Sequence, residues 1–182
     1  MAPEELRAAV AAIVLTAGAP VRAGAVAEAL DQADVDEAAV EAALAELADR
    51  WSEPSSGIRL ERVAGGWRAV TPPELDPYLR AYHGVAARQR LSQAALEVLA
   101  IIAHRQPITL PEISFLRGVG SAGVVRTLLE RRLIRLAGRK AVVGKPFLYR
   151  TSKEFLVHFG LDRPEDLPDP EELVAEESVA AD

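Results

Sequence analysis

Leu6, Val10, Ile13 and Val14 recur at i, i+4, i+7 and i+8, the spacing that lays apolar side chains along one stripe of an α-helix. Gly18 and Pro20 stop that helix. A second, short helix fits Val21 to Leu30, with Val26 and Leu30 four apart. A third follows Asp36, where Val40, Leu44, Leu47 and Trp51 share a face. Asp34 or Asp36 caps its start, and Pro54, Ser55, Ser56 and Gly57 punctuate its end.

Beyond those breakers the period falls to two. Ile58, Leu60 and the stretch to Val63 face Trp67, Ala69 and Val70 across Gly65-Gly66, a hairpin signal in which two glycines supply the positive φ angles of the turn. Pro72 and Pro73 end the hairpin, and Glu74 to Gly84 reads as a short helix carrying Tyr78 and Tyr82. Val85 to Arg90 reads as a linker.

The same order then repeats. Leu96, Leu99 and Ile102 or Ala103 mark a helix that opens at Ser92 and closes before Pro107, because a residue preceding proline avoids the helical region. Thr109 and Glu112 have capping-box spacing, with Ile108 and Ile113 placed as a hydrophobic staple. Gly118, Val119 and Gly120 turn the chain into Ser121, the expected N-cap of a helix whose Val125, Leu128 and Leu129 face inward. Strand signals return at Leu133 to Leu136 and Phe147 to Arg150, across a loop with Arg139, Lys140, Gly144, Lys145 and Pro146. A last helix covers Ser152 to Phe159. Three helices and a hairpin, twice over, predict a mainly α chain with small β-wings (α+β): two tandem winged-helix domains, at 1–84 and 91–160, joined by a linker at 85–90. The acidic, proline-punctuated tail, 161–182, has too few apolar residues to order itself, and residues 170–182 are assigned no structure.

Charge sharpens this division. Residues 1–87 carry 7 basic and 14 acidic side chains, a net of −7; residues 88–160 carry 13 and 4, a net of +9; residues 161–182 carry 1 and 9, a net of −8. Surfaces of opposite sign predict different partners for the two halves. Modules of roughly 70 residues bury little surface, so pairing with an identical chain is expected, in the N-terminal half. The chain has no cysteine, which removes disulfides and thiolate chemistry and favours the cytoplasm. The uncharged run Ala8 to Val21 is too short for a membrane span. Ala17-Gly18-Ala19 imitates a signal-peptidase site, but Glu4 and Glu5 stand where a signal would be basic.

Candidate chemistry is sparse. Gly118 to Gly123 matches G-x-G-x-x-G, yet a helix rather than a strand precedes it, so it reads as a helix-turn-helix corner and not a dinucleotide site. His83, His104 and His158 lack zinc-ligand spacing, and no serine has a nucleophile-elbow context. No catalytic, metal or cofactor residues are predicted. The helix after Ser121 stands where a winged helix carries its recognition helix; Arg126, Arg131, Arg139, Lys140 and Lys145 are candidate DNA contacts, weak and nonspecific. Arg126 and Glu130 are spaced to pair, and Glu37, Glu41, Glu46 and Asp49 make the matching N-terminal helix hostile to phosphates. A DNA-binding regulator is the alternative function.

The run Leu91 to Thr109 (LSQAALEVLAIIAHRQPIT), followed by Arg117-Gly118-Val119, Ser121 to Arg131, Leu133-Ile134, Gly138-Arg139 and Thr151 to Gly160 with Phe155 and Phe159, resembles the signature of the segregation and condensation protein B family. Gly120 and His104 depart from that pattern. The resemblance implies a non-enzymatic subunit of the bacterial condensin-like complex, cytoplasmic and nucleoid-associated. There it binds, as a homodimer, a kleisin and through it the SMC ATPase, without membrane contact. It implies pairing through the N-terminal winged helices and kleisin binding through the C-terminal ones. The expected kleisin surface comprises His104, Arg105, Gln106, Pro107 and Ile108 with Arg117, Gly118 and Val119.

Overall fold

The fold is given by a computed structural model, which describes residues 1–53, 55–84 and 91–168. It is helix-rich with small antiparallel sheets. Helices α1 (Pro3–Thr16), α2 (Ala23–Leu30) and α3 (Glu37–Trp51) precede strands β1 (Arg59–Val63) and β2 (Gly66–Val70) and helix α4 (Asp76–His83). Then come α5 (Gln93–Arg105), β3 (Ile108–Thr109), α6 (Leu110–Arg117), α7 (Ala122–Glu130), β4 (Ile134–Arg139), β5 (Phe147–Thr151) and α8 (Lys153–Phe159). The expected linker at 85–90, the breaker Pro54 and the tail beyond residue 168 lie outside the described residues.

Two separate apolar clusters form. Leu6, Val10 and Val14 of α1 pack with Val26, Val40, Leu44, Leu47 and Leu60, and Val98, Leu99 and Ile102 of α5 pack with Ile113, Val125, Leu128, Ile134 and Phe155. The expected stripes account for most of these positions. Leu96 differs: it is 42% exposed, and Ala95 and Val98 take the inward positions beside Leu99.

The caps explain where several helices begin. Asp36, not Asp34, caps α3 by accepting from the N–H of Ala39 at 2.8 Å; Asp34 instead pairs with the N-terminal ammonium of Met1. The Ser92 and Ser152 hydroxyls accept from Ala95 and Phe155 at 3.3 and 3.1 Å. Ser121 stands at the N-cap of α7, as expected, but its side chain makes no capping bond. It is buried, and its hydroxyl donates to the Val119 carbonyl at 3.2 Å while its own N–H reaches the Ser114 hydroxyl.

Two other expectations are corrected. Strand register pairs Val63 with Gly66, so the hairpin turn is Ala64-Gly65, with φ of 53° and 71°, rather than Gly65-Gly66. Gly66 serves close packing instead, since a Cβ there would stand 2.7 Å from the Val21 carbonyl oxygen. Val21, expected to open α2, bridges Trp67 in both directions at 2.7 and 2.8 Å. In the second half, β3 adds a third strand, in the order β3-β5-β4, that apolar periodicity did not predict.

The acidic segment after residue 160 was expected to lack order, yet its described part is anchored. Leu161 and Leu167 pack on the second cluster, the Leu161 carbonyl accepts from Ala64 at 2.9 Å, and Asp162 accepts from Gly65 at 2.8 Å. Two leucines and one carboxylate suffice, because each meets a preformed surface and needs no core of its own. This segment therefore straps the β1–β2 turn to the second half.

Candidate functional site, an apolar groove beside helix α6

The start of α6 is the best-specified local structure in the chain. The Thr109 N–H donates to Oε2 of Glu112 at 2.9 Å, the reach-back bond of a capping box; the Thr109 hydroxyl donates to the same oxygen at 2.7 Å, and the Lys140 ammonium pairs with the other Glu112 oxygen. Lys140 first, and the Thr109 bonds after it, hold the Glu112 carboxyl down to about 2. Ile108 and Ile113, buried at 4% and 0% exposed, fix the entry of the chain.

That geometry opens a groove of about 460 Å³ lined by Arg105, Pro107, Ile108, Pro111, Glu112, Phe115 and Leu116. Its lining is unusually apolar for a water-facing surface: Phe115 is 85% exposed and Leu116 half exposed, and Val119, just beyond the end of α6, is half exposed as well. One cation, Arg105, and one carboxylate held ionised complete the lining. Apolar grooves in general accept amphipathic segments with an apolar anchor. This one offers no activated nucleophile or acid–base pair.

The expected partner residues divide. Arg105, Pro107 and Ile108 line the groove, and Val119 stands exposed at the C-terminal end of α6. Gly118 takes φ 71° as the C-cap of that helix. Gln106 is spent internally: its Oε1 accepts from the Thr151 N–H and hydroxyl at 2.8 and 3.0 Å, tying α5 to β5. Arg117 pairs with Glu97 at 3.1 Å and reaches Ser121, leaving its side chain 12% exposed. His104 is exposed outside the groove lining. Phe115, Leu116 and Pro111 were not anticipated. The signal for Phe115 was available, since it lies two residues from inward-facing Ile113 and so on the opposite side of the helix.

The candidate DNA contacts are partly occupied. Arg126 pairs with Glu130 at 2.9 Å. Arg139 donates to the Lys145 carbonyl at 3.0 Å, its guanidinium lying 3.8 Å from the Phe147 ring centroid. Lys140 serves Glu112. Arg131 and Lys145 are exposed. On the acidic side, Glu46 meets Arg7 at 2.9 Å and Glu41 meets Arg62 at 2.8 Å. Among the described residues no group of three or more His, Asp or Glu is placed to hold a metal ion, and no helix is long and apolar enough to cross a membrane.

The chain is a helix-rich scaffold with two small antiparallel sheets and an apolar surface groove. A family model described as segregation and condensation complex subunit ScpB matches residues 8–170, and this chain belongs to that family. Segregation and condensation protein B of Syntrophotalea carbinolica is 46% identical over 164 residues, which span 90% of this chain and 81% of that protein. The protein of the same name from Moorella thermoacetica is 40% identical over 174 residues, spanning 94% and 86%. A crystal structure of ScpB from Mycobacterium tuberculosis aligns at 37% identity and a TM-score of 0.43, covering 88% of this chain and 98% of that one.

Proposed function

We propose that the chain is a non-enzymatic subunit of a bacterial condensin-like SMC complex, in which it binds the kleisin as a homodimer to support chromosome condensation and segregation. In this reading, residues 1–84 and 91–160 are winged-helix domains that pair and grip the kleisin respectively, and the protein is cytoplasmic and reaches the nucleoid through its complex. Family membership supports the segregation role. The observation that carries the binding mode is the solvent-facing row Phe115, Leu116 and Val119 beside the groove. An exposed phenylalanine gains most by insertion into a partner, and a few such aromatic anchors dominate interface energies. Arg105 would meet an acidic residue of the kleisin segment, while Gln106 and Arg117 hold the groove in shape.

Copurification of the full chain with its cognate kleisin at physiological salt tests this. A complex that Phe115→Ser weakens tenfold or more is the expected result. Absence of a complex, or one indifferent both to Phe115→Ser and to removal of residues 91–160, rejects the proposal.

A further inference from the structure

Register places Arg135 of β4 directly opposite Arg150 of β5, and both are exposed. Like charges facing each other across an antiparallel pair destabilise the sheet. Nothing among the described residues relieves them, because neither arginine has a carboxylate within ion-pair distance. Two more exposed cations join them at the base of the same hairpin. The Ser152 N–H donates to the Leu133 carbonyl at 3.1 Å and its hydroxyl to the Arg132 carbonyl at 2.5 Å, which ties the Arg132 backbone to the residue that precedes Lys153. Neither of these forms an ion pair among the described residues, although Glu154 follows Lys153 in sequence. Arg132 also holds φ at 59°, where asparagine or glycine would cost less. The fold thus carries four cations without an ion pair among the described residues, and at Arg132, Arg135 and Arg150 another residue would serve its stability better.

We infer that the facing pair Arg135 and Arg150, with Arg132 and Lys153 at the end of the same hairpin, binds the phosphate backbone of duplex DNA. The inference goes beyond kleisin binding and moves the cationic surface away from α7 and the hairpin tip, where Arg126, Arg139 and Lys140 have internal partners. The alternation of side chains along the strands decides between partners. Tyr149, Leu136 and Ile134 lie on the opposite face of the sheet, so half-buried Leu148 is the apolar neighbour of Arg150 on this one. A protein-docking patch surrounds an apolar anchor with charge, and a single-strand site supplies aromatic rings for base stacking. This face offers a half-buried leucine in place of an exposed anchor, and no aromatic ring among the β4 and β5 residues that share it. It offers cations on a rigid sheet, in a segment of net charge +9, which suits regularly spaced phosphates and displaces their counterions on binding.

The test is fluorescence anisotropy of the full chain with two unrelated duplexes over roughly 50 to 200 mM salt. Arg135→Thr/Arg150→Thr keeps β-forming side chains and removes the like-charge contact, so its thermal midpoint should equal or exceed that of the parent. We expect equal binding of both duplexes by the parent, and a loss of tenfold or more at about 100 mM salt in the double variant. Its salt slope should fall by about 1.8, the release expected for two phosphate contacts. Arg132→Asn/Lys153→Gln should weaken binding in the same direction. Arg126→Ala/Arg139→Ala should change it less than threefold. No binding by the parent at the lowest salt, an unchanged slope in the double variant, or polyglutamate bound as tightly as DNA would each overturn the inference.

Discussion

The backbone N–H of Gly65 donates a 2.8 Å hydrogen bond to Oδ1 of Asp162, 97 positions further along the chain. The same carboxylate faces Arg62 at 3.7 Å, and Arg62 in turn holds Glu41 at 2.8 Å and lies 5.4 Å from the Trp67 ring centroid. With the Ala64 to Leu161 bond, Asp162 clasps the turn of the first hairpin to the segment that closes the second core. Asp162→Ala should cost about 1 kcal/mol in chemical denaturation. It should also broaden the distance distribution between spin labels placed at exposed Asp49 and Ala122. The absence of native cysteine leaves only the introduced label sites, and dilution into unlabelled chain restricts the reading to intrachain pairs. An unchanged distribution would show that the clasp does not set the relation of the two halves.

Gly66→Ala should destabilise the first hairpin by about 1 to 3 kcal/mol, the range for forcing an atom into packed surroundings. Its Cβ would meet the Val21 carbonyl at 2.7 Å, and the obstacle is backbone that cannot rotate away. Gly65→Ala strains a turn at positive φ but meets no neighbour. Thermal melts of the two variants check the contrast: loss of the Val21–Trp67 amide protection from hydrogen exchange is expected in Gly66→Ala alone.

The depressed Glu112 carboxyl makes α6 sensitive to acid in one direction. Its native value, about 2, lies below the unfolded 4.5, so the unfolded chain binds the proton first and stability falls with pH. The contribution is fully present above the unfolded value and is lost as pH drops from about 4.5 through about 2. Solvent exposure of both partners screens its size. The stability difference between the parent and Glu112→Gln, measured by urea denaturation, should therefore shrink across that window and vanish at its acid end.

Ile113→Ala and Phe115→Ser separate folding from binding within one helix turn. Ile113 is fully buried, and its truncation should cost about 2 to 5 kcal/mol. Phe115 is 85% exposed, so its substitution should move stability by no more than about 0.5 kcal/mol while weakening kleisin binding. Paired urea titrations and binding assays read both effects.

Much of this molecule was legible in its sequence because the controlling interactions are local. Helical stripes, the Asp36, Ser92 and Ser152 caps and the Thr109–Glu112 box act within four residues, and the family signature after Leu91 reports the same local order. What tertiary structure decided involves distance along the chain or competition for a single surface. Gly65-Gly66 looks like a turn until the approach of Val21 claims Gly66. β3 is two residues long and exists because β5 passes beside it. Gln106 and Arg117 read as surface residues until Thr151 and Glu97 engage them, whereas Phe115 becomes a surface feature because Ile113 takes the core. The sequence by itself determined the helices, though not every boundary, and the family; only the fold decided which polar groups were already satisfied and which apolar and cationic ones were left facing water.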